Sequence, residues 1–126
     1  MSYNPSAWHT RQLKDLWVSI EELHALGFRV WSKAVIGGGY GEPSLDLPDY
    51  LGDCEIEIDE IGIHEGEVKI SKFDIGGEIY RDDYEKIQRL LSKTIGFIEY
   101  VLVWESGDSV EIVTYTDGVV NVEQIT

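Results

Sequence analysis

With 24 Asp and Glu against 10 Lys and Arg in 126 residues, the chain carries a formal charge of −14, which disfavours direct contact with nucleic-acid phosphate or an anionic membrane and favours a cationic partner. A hydrophobic content of 43%, with aromatics making up 11% of all residues, supplies a packed core and argues against a disordered chain, and the length fits a single domain over 1–126. The one cysteine, Cys54, excludes an intramolecular disulfide or a multi-cysteine zinc site, and with no basic-then-apolar leader and no apolar run near the roughly 18 residues of a membrane span, a cytoplasmic address is expected.

Asn4 before Pro5 reads as a helix cap with proline at the first helical position. Apolar residues then recur at Leu13, Leu16, Trp17, Ile20, Leu23 and Leu26, so the spacing predicts an amphipathic helix of about twenty residues ending at Gly27. The stretch "FRVWSKAVI", 28–36, alternates as a strand. After it, 37–53 ("GGGYGEPSLDLPDYLGD") holds five glycines and two prolines and predicts one long loop.

Cys54 to Ile63 and Glu67 to Ile75 read as two strands of a hairpin turned at "HEG", 64–66. A turn on Glu65 and Gly66 sets Ile63 opposite Val68, Ile61 opposite Ile70 and Ile58 opposite Phe73. Both strands then switch their apolar face at the Asp59/Lys72 pair, which predicts a bulge or strong twist there. Asp82-Asp83 opens a second helix with Tyr84, Ile87, Leu90 and Leu91 inward and Lys93 in its last turn, a charge order that suits the helix dipole.

"IGFIEYVLVW", 95–104, is nearly continuous in apolar residues and predicts a central strand covered on both faces, by the long loop or by a second copy of the chain. "SGD", 106–108, turns into 109–116, and Asp117-Gly118 turns that into 119–125 as a type I′ hairpin. The expected fold is α+β, a mostly antiparallel sheet of about six strands with two helices, in the order α-β-β-β-α-β-β-β.

The chemistry-bearing feature is the row Asp53, Glu55, Glu57 and Asp59 in "GDCEIEIDEIG", 52–62. Alternate strand residues lie about 6.7 Å apart, so each neighbouring carboxylate pair costs at least roughly 0.6 kcal/mol in water. A charged edge blocks strand-to-strand aggregation, and Lys69 and Lys72 on the next strand offset part of the repulsion. The same row also suits a basic partner, imitating spaced phosphates and steering association. Glu60, Glu65 and Glu67 extend it, and Tyr40 and Glu42 in the glycine-rich loop join the expected partner surface.

No catalytic centre, metal site or cofactor site stands out. The acids alternate along an extended strand, whereas calcium ligands come from a bent loop; His64 among the acids of 59–67 lacks a second histidine. "GGGYGEP", 37–43, lacks the Lys-Ser/Thr of a phosphate loop. Cys54 lies between Asp53 and Glu55, whose charges suppress a thiolate. His24 is expected partly buried beside the apolar stripe. Core packing is expected for Trp8, Trp17, Trp31 and Trp104, with Trp8 the one to be partly exposed if any is.

These features point to a non-enzymatic acidic binding protein that neutralises a basic protein such as a nuclease or nucleic-acid-binding protein, in the manner of a toxin immunity protein or a DNA-mimic inhibitor. A second expectation is a small carboxylate-based enzyme or ligand-binding domain with its pocket under the glycine-rich loop. A third rests on resemblance: the element order and charge are similar to the small acidic type III secretion chaperones, which dimerise and hold an effector, although the closing strand stands where those chaperones have a helix.

Overall fold

The computed structural model describes residues 4–35, 39–62, 66–105 and 109–125. It is α+β: a six-stranded antiparallel sheet, a separate two-stranded sheet, two helices and a 3-10 turn. The elements run β1 (Pro5–Ser19), α1 (Ile20–Ala25), β2 (Arg29–Val35), β3 (Gly39–Asp46), the 3-10 turn Asp49–Leu51, β4 (Glu55–Gly62), β5 (Glu67–Asp74), α2 (Arg81–Leu91), β6 (Ile95–Trp104), β7 (Val110–Thr116) and β8 (Val119–Ile125). The large sheet is ordered β4-β5-β1-β6-β7-β8, and β2 pairs with β3 in the small one.

The class expected from the sequence holds, with two changes in the order. The twenty-residue first helix is a correction: 5–19 form a strand, and only Ile20–Ala25 are helical, capped by Ser19 Oγ, which accepts the Glu22 N–H at 3.0 Å. The strand imitates a helix because its pairing with β6 slips between Pro5 and Ala7, between Thr10 and Gln12, and between Lys14 and Trp17. Each slip resets the in-out alternation, so apolar residues spaced by three, Leu13 and Leu16, reach the same face. Asn4 does cap a helix, but α2: its Oδ1 accepts the Arg81 N–H at 3.0 Å. The second change lies in 37–53, where the expected loop contains β3 and the 3-10 turn. Pro43 is tolerated there because it stands opposite Ser32 in a sheet of two strands, each of which has, among the described residues, one edge without a ladder partner.

The β4–β5 hairpin forms with its bulge where the apolar pattern switches. Ile56 stands opposite Phe73 and Ile61 opposite Val68, two residues off the expected register, and the pairing slips on either side of the Ile58–Ile70 pair. Asp59 and Ser71 are the residues left out of the ladder. Two opposing extra residues keep both apolar sets, Ile56, Phe73 and Ile58, Ile70, Val68, on the buried face.

The core lies between one face of the large sheet and a cover made of α2, α1, Phe28 and Leu51. From α2 come Tyr84, Ile87, Leu90 and Leu91; from β6 come Ile98, Tyr100 and Leu102, each fully buried. Trp8 is in this core, stacked on Tyr100 with ring centroids 3.6 Å apart and planes at 15°, and edge-on to Tyr84. The exposed tryptophan is instead Trp31, at 50%. The second face of β6 is not covered as its composition predicts: Phe97, Val101 and Val103 are half-buried, and the Arg11–Glu99 ion pair, 3.5 Å, crosses that side. The ends of the large sheet differ in character. β4 carries carboxylates, whereas every residue of β8 is exposed and four of the seven are Val or Ile.

Candidate partner-binding site

The expected acidic row divides in two. Glu55, Glu57 and Asp59 are exposed while the intervening Ile56 and Ile58 are buried, as alternation on a strand demands. Asp53 precedes the strand and belongs to a cleft of about 430 Å³, lined among others by Asp49, Tyr50, Cys54, Glu78, Tyr80 and Asp83. Local sequence carries no sign that the segment before α2 and the first turn of α2 would converge on Asp53, because Glu78 and Asp83 lie 25 and 30 positions further along the chain.

Two local features hold that convergence. Gly76 lies against the Asp53 backbone so closely that a Cβ on it would stand 2.3 Å from the Asp53 carbonyl oxygen. Tyr50 OH donates to the Leu26 carbonyl at 2.5 Å, and Lys86 Nζ sits 4.3 Å from the centre of the Tyr50 ring while pairing with Asp83 at 3.2 Å. Burial raises the Tyr50 pKa, with the Asp83 charge adding to it and Arg89 opposing. Lys86 therefore ties one cleft carboxylate to the wall.

The strand acids are in part offset by the protein itself. Lys72 donates to Glu55 and forms an ion pair with it; that hydrogen bond, then the lysine's charge, lowers the Glu55 pKa, and the same contact raises that of Lys72. Glu57 stands opposite Lys72 in the ladder and Glu60 opposite Lys69, while Lys69 reaches Asp15 at 3.5 Å. Among the described residues no ion pair within 4.0 Å holds Asp49, Asp53, Glu57, Asp59 or Glu78. Glu67, half-buried at the start of β5, stands opposite Ser19 of β1 and Gly62 of β4. Glu65 lies outside the described residues, and for Tyr40, Glu42 and Glu60 the strand backbone alone is described.

A second hollow, about 500 Å³, is lined by His24, Gly27, Phe28, Arg29, Val30 and Trp31. Those described lining residues include no carboxylate, so the pocket beside the β2–β3 hairpin and the acids of β4 are different places. His24 is exposed there, not tucked beside an apolar stripe, because the helix that would have carried the stripe is six residues long. Cys54 is half-buried; burial is the main cause of its raised pKa, Asp53 adds to it, and a Gly76 backbone hydrogen bond opposes it. Its thiol is therefore held protonated at neutral pH. Among the described residues no group of three His, Cys, Asp or Glu side chains is arranged to hold a metal ion, and no helix is long and apolar enough to cross a membrane. Comparison of the chain with protein-family models, curated proteins and solved structures finds no match.

Proposed function

We propose that the protein is a small acidic binding protein that captures and neutralises a basic partner of the nuclease or nucleic-acid-binding kind, through the cleft around Asp53 and the adjoining exposed acids of β4. The observation that carries the reading is the gathering of Asp49, Asp53, Glu78 and Asp83 about one cleft of about 430 Å³ that also contains Tyr50 and Tyr80. Carboxylates beside aromatic rings suit an arginine or lysine side chain, which pairs with the acids and lies on the ring faces. Glu57 and Asp59 continue the negative surface along β4, and the net charge of −14 steers a cationic protein toward it. The raised Cys54 pKa disfavours nucleophilic catalysis by its thiol.

Titration calorimetry against basic nuclease domains, at low and high salt, tests the reading. Binding that weakens steeply with salt, and that weakens further in Asp53→Asn and Glu78→Gln, is expected. Affinity indifferent to salt and to both substitutions overturns it.

A further inference from the structure

We propose that the hollow of about 500 Å³ at the junction of α1 and β2 binds a small planar molecule carrying one anionic group, a carboxylate or a phosphate, with Arg29 as its anchor. This site is separate from the acidic cleft and independent of what that cleft binds. Its described lining has an arginine, a histidine and a tryptophan and no carboxylate, so it suits the opposite ligand.

The way α1 ends shapes the hollow. Gly27, at φ 92°, turns the chain out of the helix; its N–H donates to the His24 carbonyl and the Phe28 N–H to the Leu23 carbonyl, both at 3.0 Å. In this glycine-ended closure the residue after the glycine packs back onto the last turn, and Leu23 and Phe28 are both buried. β2 is thereby brought beside that turn, and His24 and Arg29 line one hollow. The closure also spends the Leu23 and His24 carbonyls, which would otherwise present negative charge to an anion. A Cβ on Gly27 would stand 3.2 Å from Pro48 Cβ, so the turn is backed by the segment after β3.

Charge and shape select the ligand. Arg29 is exposed, and among the described residues no ion pair within 4.0 Å holds it. Asp46 stands opposite it in the ladder, but Asp46 Oδ2 accepts the Trp31 indole N–H at 2.7 Å. That bond pins one edge of a ring that is otherwise half-exposed. Arg29 and Trp31 are alternate residues in an unslipped stretch of β2, so they share a face about 6.7 Å apart. A guanidinium takes two oxygens of a carboxylate or phosphate side by side, and an indole takes a flat ring. His24 adds a ring nitrogen, and Phe28 and Val30 add apolar wall. The volume falls within the roughly 300–1,000 Å³ of small-molecule sites, whose walls are mostly apolar with a few placed polar groups. Nucleic acid is a poor occupant, since a charge of −14 repels a polyanion; one small anion meets Arg29 at contact distance, where screening is weakest.

NMR titration of the intact protein with three pairs of probes tests the site: adenosine monophosphate against adenosine, indole-3-acetate against indole-3-acetamide, and 1-naphthoate against 1-naphthamide. At least one anion is expected to shift the Trp31 indole and Arg29 guanidinium resonances and to bind about tenfold tighter than its neutral counterpart. The first pair reports a phosphate ligand, the other two a carboxylate. Arg29→Gln should abolish the preference for the anion and Arg29→Lys keep part of it, while Trp31→Ala should weaken anion and neutral probe alike. Asp46→Asn, which keeps an acceptor for the indole and removes the charge opposite Arg29, should strengthen anion binding a few-fold. All three side chains are exposed, and circular dichroism should be unchanged in every variant. No shift of the Trp31 and Arg29 resonances with any probe at millimolar concentration, equal affinity within every pair, a preference that survives Arg29→Gln, or shifts confined to Tyr50 and Cys54 of the acidic cleft overturns the proposal.

Discussion

Gly76 and Asp53 meet backbone to backbone: a Cβ on Gly76 would stand 2.3 Å from the Asp53 carbonyl oxygen, inside any real contact. The segment before α2 can reach the cleft because a hydrogen atom stands where other residues carry carbon. Gly76→Ala should therefore force the two segments apart, costing about 1–3 kcal/mol in denaturant unfolding. It should also loosen partner binding more than that loss of folded protein explains, because Glu78 moves away from Asp53. Binding that falls only in step with the folded fraction contradicts the contact's role in shaping the cleft.

Lys72 sets the charge available on β4. Removing it in Lys72→Met should return the Glu55 pKa to the ordinary carboxylate range, followed by NMR titration of the Glu55 side chain. The sign follows from the lowered value: the stabilisation that the pair gives is present above the unfolded-state pKa and is lost as pH falls through the folded one. Both groups are solvent-exposed, so stability should barely change. Affinity for a basic partner should rise a few-fold, and Glu55→Gln should cost less binding than Asp53→Asn.

Burial raises the pKa values of Tyr84, Tyr100 and Tyr115, and for Tyr84 and Tyr100, whose hydroxyls lie 2.9 Å apart, it holds them far above the usual tyrosine range. Keeping these hydroxyls protonated adds stability in full below the unfolded-state value of about 10, and that contribution is lost as pH rises above it. Alkaline titration should show phenolate absorbance appearing in two stages, an early rise from exposed tyrosines and a late one that coincides with loss of near-ultraviolet circular dichroism. A late stage that precedes unfolding argues against a sealed pair.

Trp8 and Trp31 should differ sharply. Trp8→Ala removes the ring stacked on Tyr100 and touching Phe73 and Tyr84, with an expected loss of about 3–5 kcal/mol. Trp31→Ala removes a half-exposed ring whose contact is a 2.7 Å hydrogen bond to Asp46, and should shift stability by no more than about 0.5 kcal/mol. Urea melts of the two variants check both.

What the sequence made legible follows the strength of its local signals. α2 could be read from Tyr84, Ile87, Leu90 and Leu91 at helical spacing, all of them buried, and the closing hairpin from Asp117-Gly118. The bulge at Asp59 was legible because each strand of the hairpin reverses an otherwise strict alternation once, β4 at Asp59 and β5 at Ser71. β1 was not, since three slips in fifteen residues erase the period of two and leave the spacing of a helix. The exposed acids of β4 followed from alternation, whereas the cleft did not, because its carboxylates come from segments joined only by tertiary packing. Trp8 was misplaced for the same reason as β1: on a helix it stood before the stripe, and on the strand it faces inward opposite Leu102.

The bond from Arg81 to Asn4 spans 77 positions of chain, and Pro5 accepts from Ile79 beside it at 3.1 Å. Tyr80, the residue at the helix's own boundary, offers no side-chain acceptor. A peptide containing α2 alone would thus begin with dangling donors and fray. The helix matures when the start of the chain has already docked, which couples local winding to the slowest kind of search, between distant parts of a polymer. Helix and sheet should then appear together in a stopped-flow trace, and clipping the first few residues should soften a segment far along the chain.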